Sequence, residues 1–109
     1  MTMTIRPLQA SDRAAWQDLW RSYLEFYESS VADEVTETTW RRMLVEGEDP
    51  SGFCAVDEKG ELIGIVHYLF HRSCWSVDEY CYLQDLFVAP DQRRAGAGEA
   101  LIGAVSDAA

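Results

Sequence analysis

Cysteines are few in this chain, and both long apolar runs and a signal-like start are absent. The three cysteines, Cys54, Cys74 and Cys81, are odd in number and have no C-x-x-C spacing, which predicts reduced thiols rather than a disulfide framework. No apolar run approaches the roughly 20 residues that span a membrane, and residues 1–4 lack the basic and apolar regions of a signal peptide. These absences predict a cytoplasmic protein that does not enter a membrane.

Positive charge is also scarce. Nine Lys and Arg residues stand against nineteen Asp and Glu residues, which gives a formal net charge of -10. Because contacts from Lys and Arg to phosphate dominate nucleic-acid binding, this balance argues against a nucleic-acid partner. An acidic surface concentrates cationic substrates, although solubility alone explains the same charge. For a chain of 109 residues we expect one domain, covering residues 1–109.

The most informative stretch runs from residue 83 to residue 98. Apolar residues predict a strand over 83–88, Pro90-Asp91 ends it, and a glycine-containing loop leads into a helix. Gly96 and Gly98 have no Cβ, so a ligand can lie close to their backbone. The start of the helix offers unpaired N–H groups and the positive end of its dipole, an arrangement that suits a phosphate or a pyrophosphate.

Two common phosphate-binding loops are excluded, because the chain has neither Gly-Lys-Ser/Thr nor G-x-G-x-x-G here. The spacing is Arg-x-x-Gly-x-Gly after a strand, and it resembles the coenzyme A signature of the GNAT superfamily of N-acetyltransferases. The resemblance implies acetyl-CoA as cosubstrate, with no metal. The residues that it implies for cofactor binding are Leu86, Phe87 and Val88 for pantetheine, and Arg93, Arg94, Ala95, Gly96, Ala97 and Gly98 for the pyrophosphate.

Residues 64–70 and 82–88, with Cys74-Trp75 between them, look most like the diamine (spermidine/spermine) acetyltransferase branch of that superfamily. This implies direct transfer of an acetyl group to a primary amine, on a polyamine or a lysine-like acceptor. The glutamate of that branch is Gln84 here, so acid/base capacity is lost at that position. The alternative is therefore a coenzyme A-binding or acyl-sensing module without turnover.

Gln84 and Asp85 are the candidate catalytic residues. Asp85 is either a base, an anchor for the substrate or a carboxylate that caps a turn, whereas Gln84 orients a water or the substrate. Strand alternation places the two side chains on opposite faces unless a bulge intervenes. His67 and His71 share a strand face, but no third ligand has suitable spacing, so no metal site is predicted.

The acceptor rim is predicted from acidic residues near the end of the first helix and from one exposed tryptophan. A solvated acidic face explains the same charges equally well. The candidate substrate residues are Glu25, Glu28, Asp33, Glu34 and Trp75.

The periodicity predicts an α/β protein with the order β-α-α-β-β-β-α. Strands are expected at 4–8, 53–56, 62–70 and 80–88, and helices at 12–27, 36–46 and 99–105. The resemblance implies a GNAT-like acyl-CoA N-acyltransferase fold, with a mixed sheet whose N-terminal half is antiparallel. It also implies further strands after the last helix, so the chain looks C-terminally truncated. An exposed strand edge then favours association, which we expect to give a homodimer.

Overall fold

The computed structural model describes residues 3–91 and 96–109. The elements are, in chain order, β1 (Thr4–Pro7), a 3-10 turn (Ala10–Asp12), α1 (Arg13–Phe26), α2 (Asp33–Met43), β2 (Ser51–Val56), β3 (Leu62–Ser73), β4 (Ser76–Val88) and α3 (Ala97–Ala108).

The described strands form one four-stranded sheet in the order β1-β2-β3-β4. Each neighbouring pair is antiparallel, with Arg6 opposite Cys54 in the first pair and Cys54 opposite Ile65 in the second. The antiparallel arrangement is therefore confirmed. Since none of the pairs between described strands is parallel, the mixed character of the sheet stays a prediction.

The β3–β4 hairpin is longer than the sequence pattern indicated. We expected a turn over residues 73–78, but β3 continues to Ser73 and β4 begins at Ser76, where these two serines pair. Cross-strand contacts extend the ladder, because the rings of His71 and Tyr80 meet edge to face with centroids 5.8 Å apart. Pairing between side chains of the two strands thus keeps this segment extended, although its polar composition predicted a turn.

The second helix begins earlier than predicted. It starts at Asp33 rather than residue 36, and it ends at Met43 rather than residue 46. Asp33 and Glu34 occupy its first turn, where carboxylates interact favourably with the helix dipole. Asp33 and Glu34, which lie before the predicted helix 36–46, therefore belong to α2.

Helices cover both faces of the sheet. On one face, α1 and α2 bury Trp16 and Trp40 against Ile65 and Phe87. On the other face, α3 packs so closely that a Cβ at Gly64 would lie 3.1 Å from Leu101 Cδ1. The buried residues of α3 are Ala97, Leu101 and Val105. The sequence pattern predicts Leu101, Ile102 and Val105 on the inner face; this is confirmed for Leu101 and Val105 and wrong for Ile102, which is 47% exposed because the i, i+4 stripe runs through the other two.

Among the residues that the structure describes, no helix combines the length and the apolar character needed to cross a membrane.

Candidate active site

A β-bulge lies at the centre of the candidate site. His67 of β3 pairs with Asp85 of β4, but the next residue, Tyr68, pairs with Leu83, so Gln84 is the extra residue on β4. A bulge changes the direction of neighbouring side chains and breaks the strict alternation of a strand. Gln84 and Asp85 accordingly line the same cavity.

This cavity, which we call the Asp85 cavity, has a volume of about 380 Å³. Its walls come from α1 and α2, from the loop before β2, and from β3 and β4. Apolar groups such as Val35 and Leu69 line much of it, and two carboxylates, Asp49 and Asp85, face it. No Lys or Arg lines it within the described part of the chain, so its local charge is negative.

Asp85 is held by a chain of hydrogen bonds that crosses the protein interior. The Tyr23 hydroxyl donates to Asp85 Oδ1 at 2.8 Å, and His67 Nδ1 lies 3.0 Å from Asp85 Oδ2. On the other side of the imidazole, Trp16 Nε1 donates to His67 Nε2 at 3.0 Å. The Asp85 side chain is 17% exposed, whereas that of His67 is 2% exposed.

The partners determine the tautomer of His67. An indole N–H can only donate, so His67 Nε2 must accept from Trp16. The proton of a neutral imidazole then resides on Nδ1, which donates to Asp85. Asp85 thus accepts one hydrogen bond on each oxygen, from Tyr23 on Oδ1 and from His67 on Oδ2.

The neighbouring hydroxyl is a hydrogen-bond donor and not a base. Burial raises the pKa of Tyr23 well above its ordinary value, and the hydrogen bond to Asp85 raises it further. Tyr23 therefore keeps its proton at neutral pH. Burial also raises the pKa of the Cys54 thiol, to about 11, so this cysteine is a protonated core residue rather than a nucleophile.

A second groove follows directly along β4. This β4–α3 groove has a volume of about 320 Å³ and is lined by Phe26 and Tyr27 of the α1 end, by Gly98, and by the last part of β4. The β4 residues in its lining are Leu86, Phe87 and Val88. Four of the predicted cofactor-binding residues are thus brought together.

The start of α3 borders this groove. Gly96 is its N-cap and has φ +82°, and the first intrahelical hydrogen bond runs from Ala100 N to Gly96 O. A Cβ at Gly98 would meet only Val88 Cγ2, at 3.9 Å, so the backbone is open to a ligand here. Ala97 is completely buried in the core between α3 and the sheet, and its role in cofactor binding stays a prediction. The predicted cofactor residues Arg93, Arg94 and Ala95 lie outside the described residues.

The predicted acceptor rim is not brought together as one surface. Glu25 and Asp33 line a cavity of about 260 Å³ between α1 and α2, which shares Trp20 and Val31 with the Asp85 cavity. The other three candidates lie elsewhere. Glu34 lines another depression together with Arg42, and Glu28 lies in the turn after α1. Trp75 lies at the tip of the β3–β4 hairpin and is 92% exposed. Their roles in substrate binding stay predictions.

Sequence reasoning missed Tyr23, His67 and Trp16 as members of the site. Tyr23 and Trp16 matched the apolar stripe of a core helix, and His67 was weighed only as a metal ligand. Within the described residues, no group of three or more His, Cys, Asp or Glu side chains is placed to hold a metal ion. The turn at 74–75 would not have revealed the pair, because an unbroken ladder from Ser73 and Ser76 places His67 opposite position 82, and two register shifts bring it opposite Asp85.

Comparison with known proteins agrees with this architecture. The model of the Acetyltransferase (GNAT) family matches residues 13–109. A D-amino-acid N-acetyltransferase of Saccharomyces cerevisiae is 35% identical over 105 residues, which cover 92% of this chain and 63% of the yeast protein. The chain thus spans less than two thirds of that relative.

Solved structures show the same fold. An aminoglycoside antibiotic 6'-N-acetyltransferase from Acinetobacter baumannii superposes with a TM-score of 0.80 at 18% identity, over 99% of this chain and 71% of that one. AAC(6')-Iy, solved in complex with the bisubstrate analogue CoA-S-monomethyl-acetylneamine, gives a TM-score of 0.79 at 22% identity, over 98% and 71%. From the family match and the shared fold, the chain belongs to the GNAT family of acetyltransferases.

Proposed function

We propose that this protein transfers an acetyl group from acetyl-CoA to a primary amine. The observation that carries the proposal is the succession of two cavities along one strand. Gln84 and Asp85 line the Asp85 cavity, and the next three residues of β4 line the β4–α3 groove. Acetyl-CoA in the β4–α3 groove and an amine in the Asp85 cavity would meet at the boundary between Asp85 and Leu86.

The β4–α3 groove is the proposed site of acetyl-CoA. Its lining is mainly apolar, which suits a pantetheine arm, and the start of α3 suits a pyrophosphate. Gly98 leaves room for the ligand beside the backbone. The related AAC(6')-Iy binds a coenzyme A-containing analogue, which supports this assignment. Acetyl-CoA supplies the activated thioester, and Arg93, Arg94 and Ala95 stay predicted pyrophosphate partners.

Asp85 is the proposed anchor of the amine. A lysine-like amine has a pKa of about 10.4, so it arrives mostly as an ammonium ion, which the carboxylate of Asp85 attracts. The deprotonated nitrogen attacks the thioester carbonyl carbon, the C–S bond breaks, and the coenzyme A thiolate takes up a proton. The net reaction releases the other amine proton to solvent. The Gln84 amide accepts no proton and orients the amine or a water.

The acceptor class follows from the charges around the cavity. The described lining offers no cation to a substrate carboxylate, but it offers a second carboxylate, Asp49. Asp49 accepts a hydrogen bond from the Phe70 backbone N–H, which lies three residues, or about 10 Å, along β3 from His67, the partner of Asp85. This spacing suits a polyamine or a lysine-like amine whose second polar group is several bonds away from the first.

The test is an assay of coenzyme A release from acetyl-CoA, with spermidine, an α-blocked lysine and a D-amino acid as acceptors. We expect turnover with the first two. Asp85→Asn should raise the amine KM about tenfold or more and leave the acetyl-CoA KM unchanged. Asp107→Asn, which removes an exposed carboxylate from α3, is the matched control and should change neither constant.

The second candidate is a coenzyme A-binding or acyl-sensing module without turnover, which the glutamine at position 84 favours. Binding of coenzyme A in calorimetry, without turnover of any amine, would support this candidate and refute the enzyme. Absence of both binding and turnover would refute both. A cytoplasmic location and a homodimer stay predictions, and sedimentation of the purified chain tests the latter.

A further inference from the structure

The pair of His67 and Asp85 invites comparison with catalytic dyads in which the imidazole takes the proton. We propose the reverse assignment for this protein. His67 is a positioning residue that, fixed by Trp16, holds Asp85 as an oriented carboxylate for the acceptor amine. It does not carry a proton during the reaction. This inference rests on the proposed N-acetyltransferase function, which it deepens by separating the anchor from the proton path.

The first support is that both ring nitrogens of His67 are already engaged. Trp16 Nε1 lies 3.0 Å from Nε2, and Asp85 Oδ2 lies 3.0 Å from Nδ1. The residue is 1% exposed and lies beside the rings of Trp16 and Trp20, at centroid distances of 6.0 and 5.2 Å. His67 lines the Asp85 cavity, but neither of its ring nitrogens is free to bind a substrate.

The second support is the direction of the hydrogen bonds. A proton that arrived at Nε2 would face the Trp16 N–H, and two donors would then oppose each other in a buried position. Because Trp16 is completely buried in the core, it has no room to turn away. The imidazole is therefore a poor place for the amine proton, although its distance from Asp85 resembles that of a proton-transfer dyad.

The third support is what the arrangement does for Asp85. Tyr23 donates to one carboxylate oxygen and His67 to the other. Two donors from different elements fix the rotation of the carboxylate plane, and each oxygen retains lone-pair capacity toward the cavity. An ammonium group in the cavity then meets a carboxylate already in place, so little side-chain freedom is lost when it binds.

The direct test is ¹⁵N NMR of the full chain with ¹⁵N-labelled histidine. The chain has only two histidines, His67 and His71. We expect His67 to show a protonated Nδ1 and an unprotonated Nε2. A proton on Nε2, alone or together with Nδ1, would overturn the proposal. The measurement needs no substrate, so its failure is distinguishable from failure of the proposed function.

Kinetics supply the second test. His67→Asn retains an amide N–H near the position of Nδ1, whereas His67→Ala removes the donor. We expect His67→Ala to raise the amine KM about tenfold or more, with a much smaller change in kcat. His67→Asn should recover most of that loss, and His71→Asn, on an exposed residue of the same strand, is the control.

A large fall in kcat that is equal for His67→Ala and His67→Asn, with the amine KM unchanged, would mean that His67 carries the proton and would overturn the proposal. The KM for acetyl-CoA and the melting temperature show whether each variant is folded. If His67→Ala does not fold, the Asn variant and the NMR result still decide.

Discussion

Two glycines that are separated by one residue are expected to respond oppositely to the same substitution. Gly96 has φ +82° and open space around its missing Cβ, whereas Gly98 is in the first turn of α3. Gly96→Ala places an L-residue in the left-handed region, which costs about 1–2 kcal/mol. Gly98→Ala meets only Val88 Cγ2, at 3.9 Å, and should stabilise the helix by about 0.5–1 kcal/mol.

The two effects together amount to about 1.5–3 kcal/mol, which corresponds to a separation of roughly 6–24 °C between the melting temperatures of the two variants. Gly98→Val adds two methyl groups inside the β4–α3 groove, so we expect a folded protein whose affinity for coenzyme A falls by about tenfold to a hundredfold. Thermal unfolding followed by circular dichroism measures the first effect, and calorimetric titration with coenzyme A measures the second. If Gly98→Val bound coenzyme A as tightly as the wild type, the groove would not be the cofactor site. If Gly96→Ala melted above Gly98→Ala, the argument from backbone angles would be wrong.

Three further predictions concern stability and acceptor binding. A Cβ at Gly52 would lie 2.7 Å from a leucine methyl group, so Gly52→Ala should destabilise the fold by about 1–3 kcal/mol in urea unfolding. The hydrogen bond from Arg6, as the largest cause, lowers the pKa of Asp12 below 3.8. The contribution of ionised Asp12 to folding stability is therefore complete above the pKa of Asp12 in the unfolded chain, and it is lost as the pH falls through the lower pKa of the folded state. The free energy of unfolding of Asp12→Asn should consequently depend less on pH between pH 5 and pH 2 than that of the wild type. Neutralising Glu25 and Asp33 together should raise the KM for spermidine at low salt but not at high salt, because exposed charges are screened, and an equal KM at low salt would leave these residues as a solvated acidic face.

The fold was accessible from the sequence wherever one local pattern decided the outcome. The apolar stripe of the predicted helix 12–27 and the short apolar run 53–56 correspond to the observed α1 and β2, with ends shifted by one or a few residues. The prediction failed where a longer-range contact outweighed local composition. The hairpin continues through polar residues because the strands pair there, and Ile102, unlike Leu101, is exposed because α3 packs onto Gly64 through Leu101.

The site was only partly accessible, since its chemistry depends on contacts between distant residues. Gln84 and Asp85 were found from their position on the strand, but the bulge that turns both into one cavity depends on the register with β3. Tyr23 is 62 residues away from Asp85 along the chain, and Trp16 is 51 residues away from His67. No local pattern reports such pairs. An aromatic stripe on a helix therefore contained two polar members of the site without any signal that separated them from the core.

Binding an ammonium ion and removing its proton make opposite demands on one carboxylate. In the proposed reaction, Asp85 lowers the energy of the charged amine, and this same attraction makes the amine harder to deprotonate. The two side chains that donate to Asp85 do not relieve this conflict: Tyr23 keeps its proton because its pKa is raised, and His67 is occupied on both nitrogens. Gln84 has no titratable group. Within the described lining of the cavity, the groups left to accept the proton are solvent and the exposed carboxylate of Asp49. We therefore propose that the cavity separates an internal carboxylate, Asp85, which orients the amine, from its solvent-exposed end near Asp49, where the proton leaves.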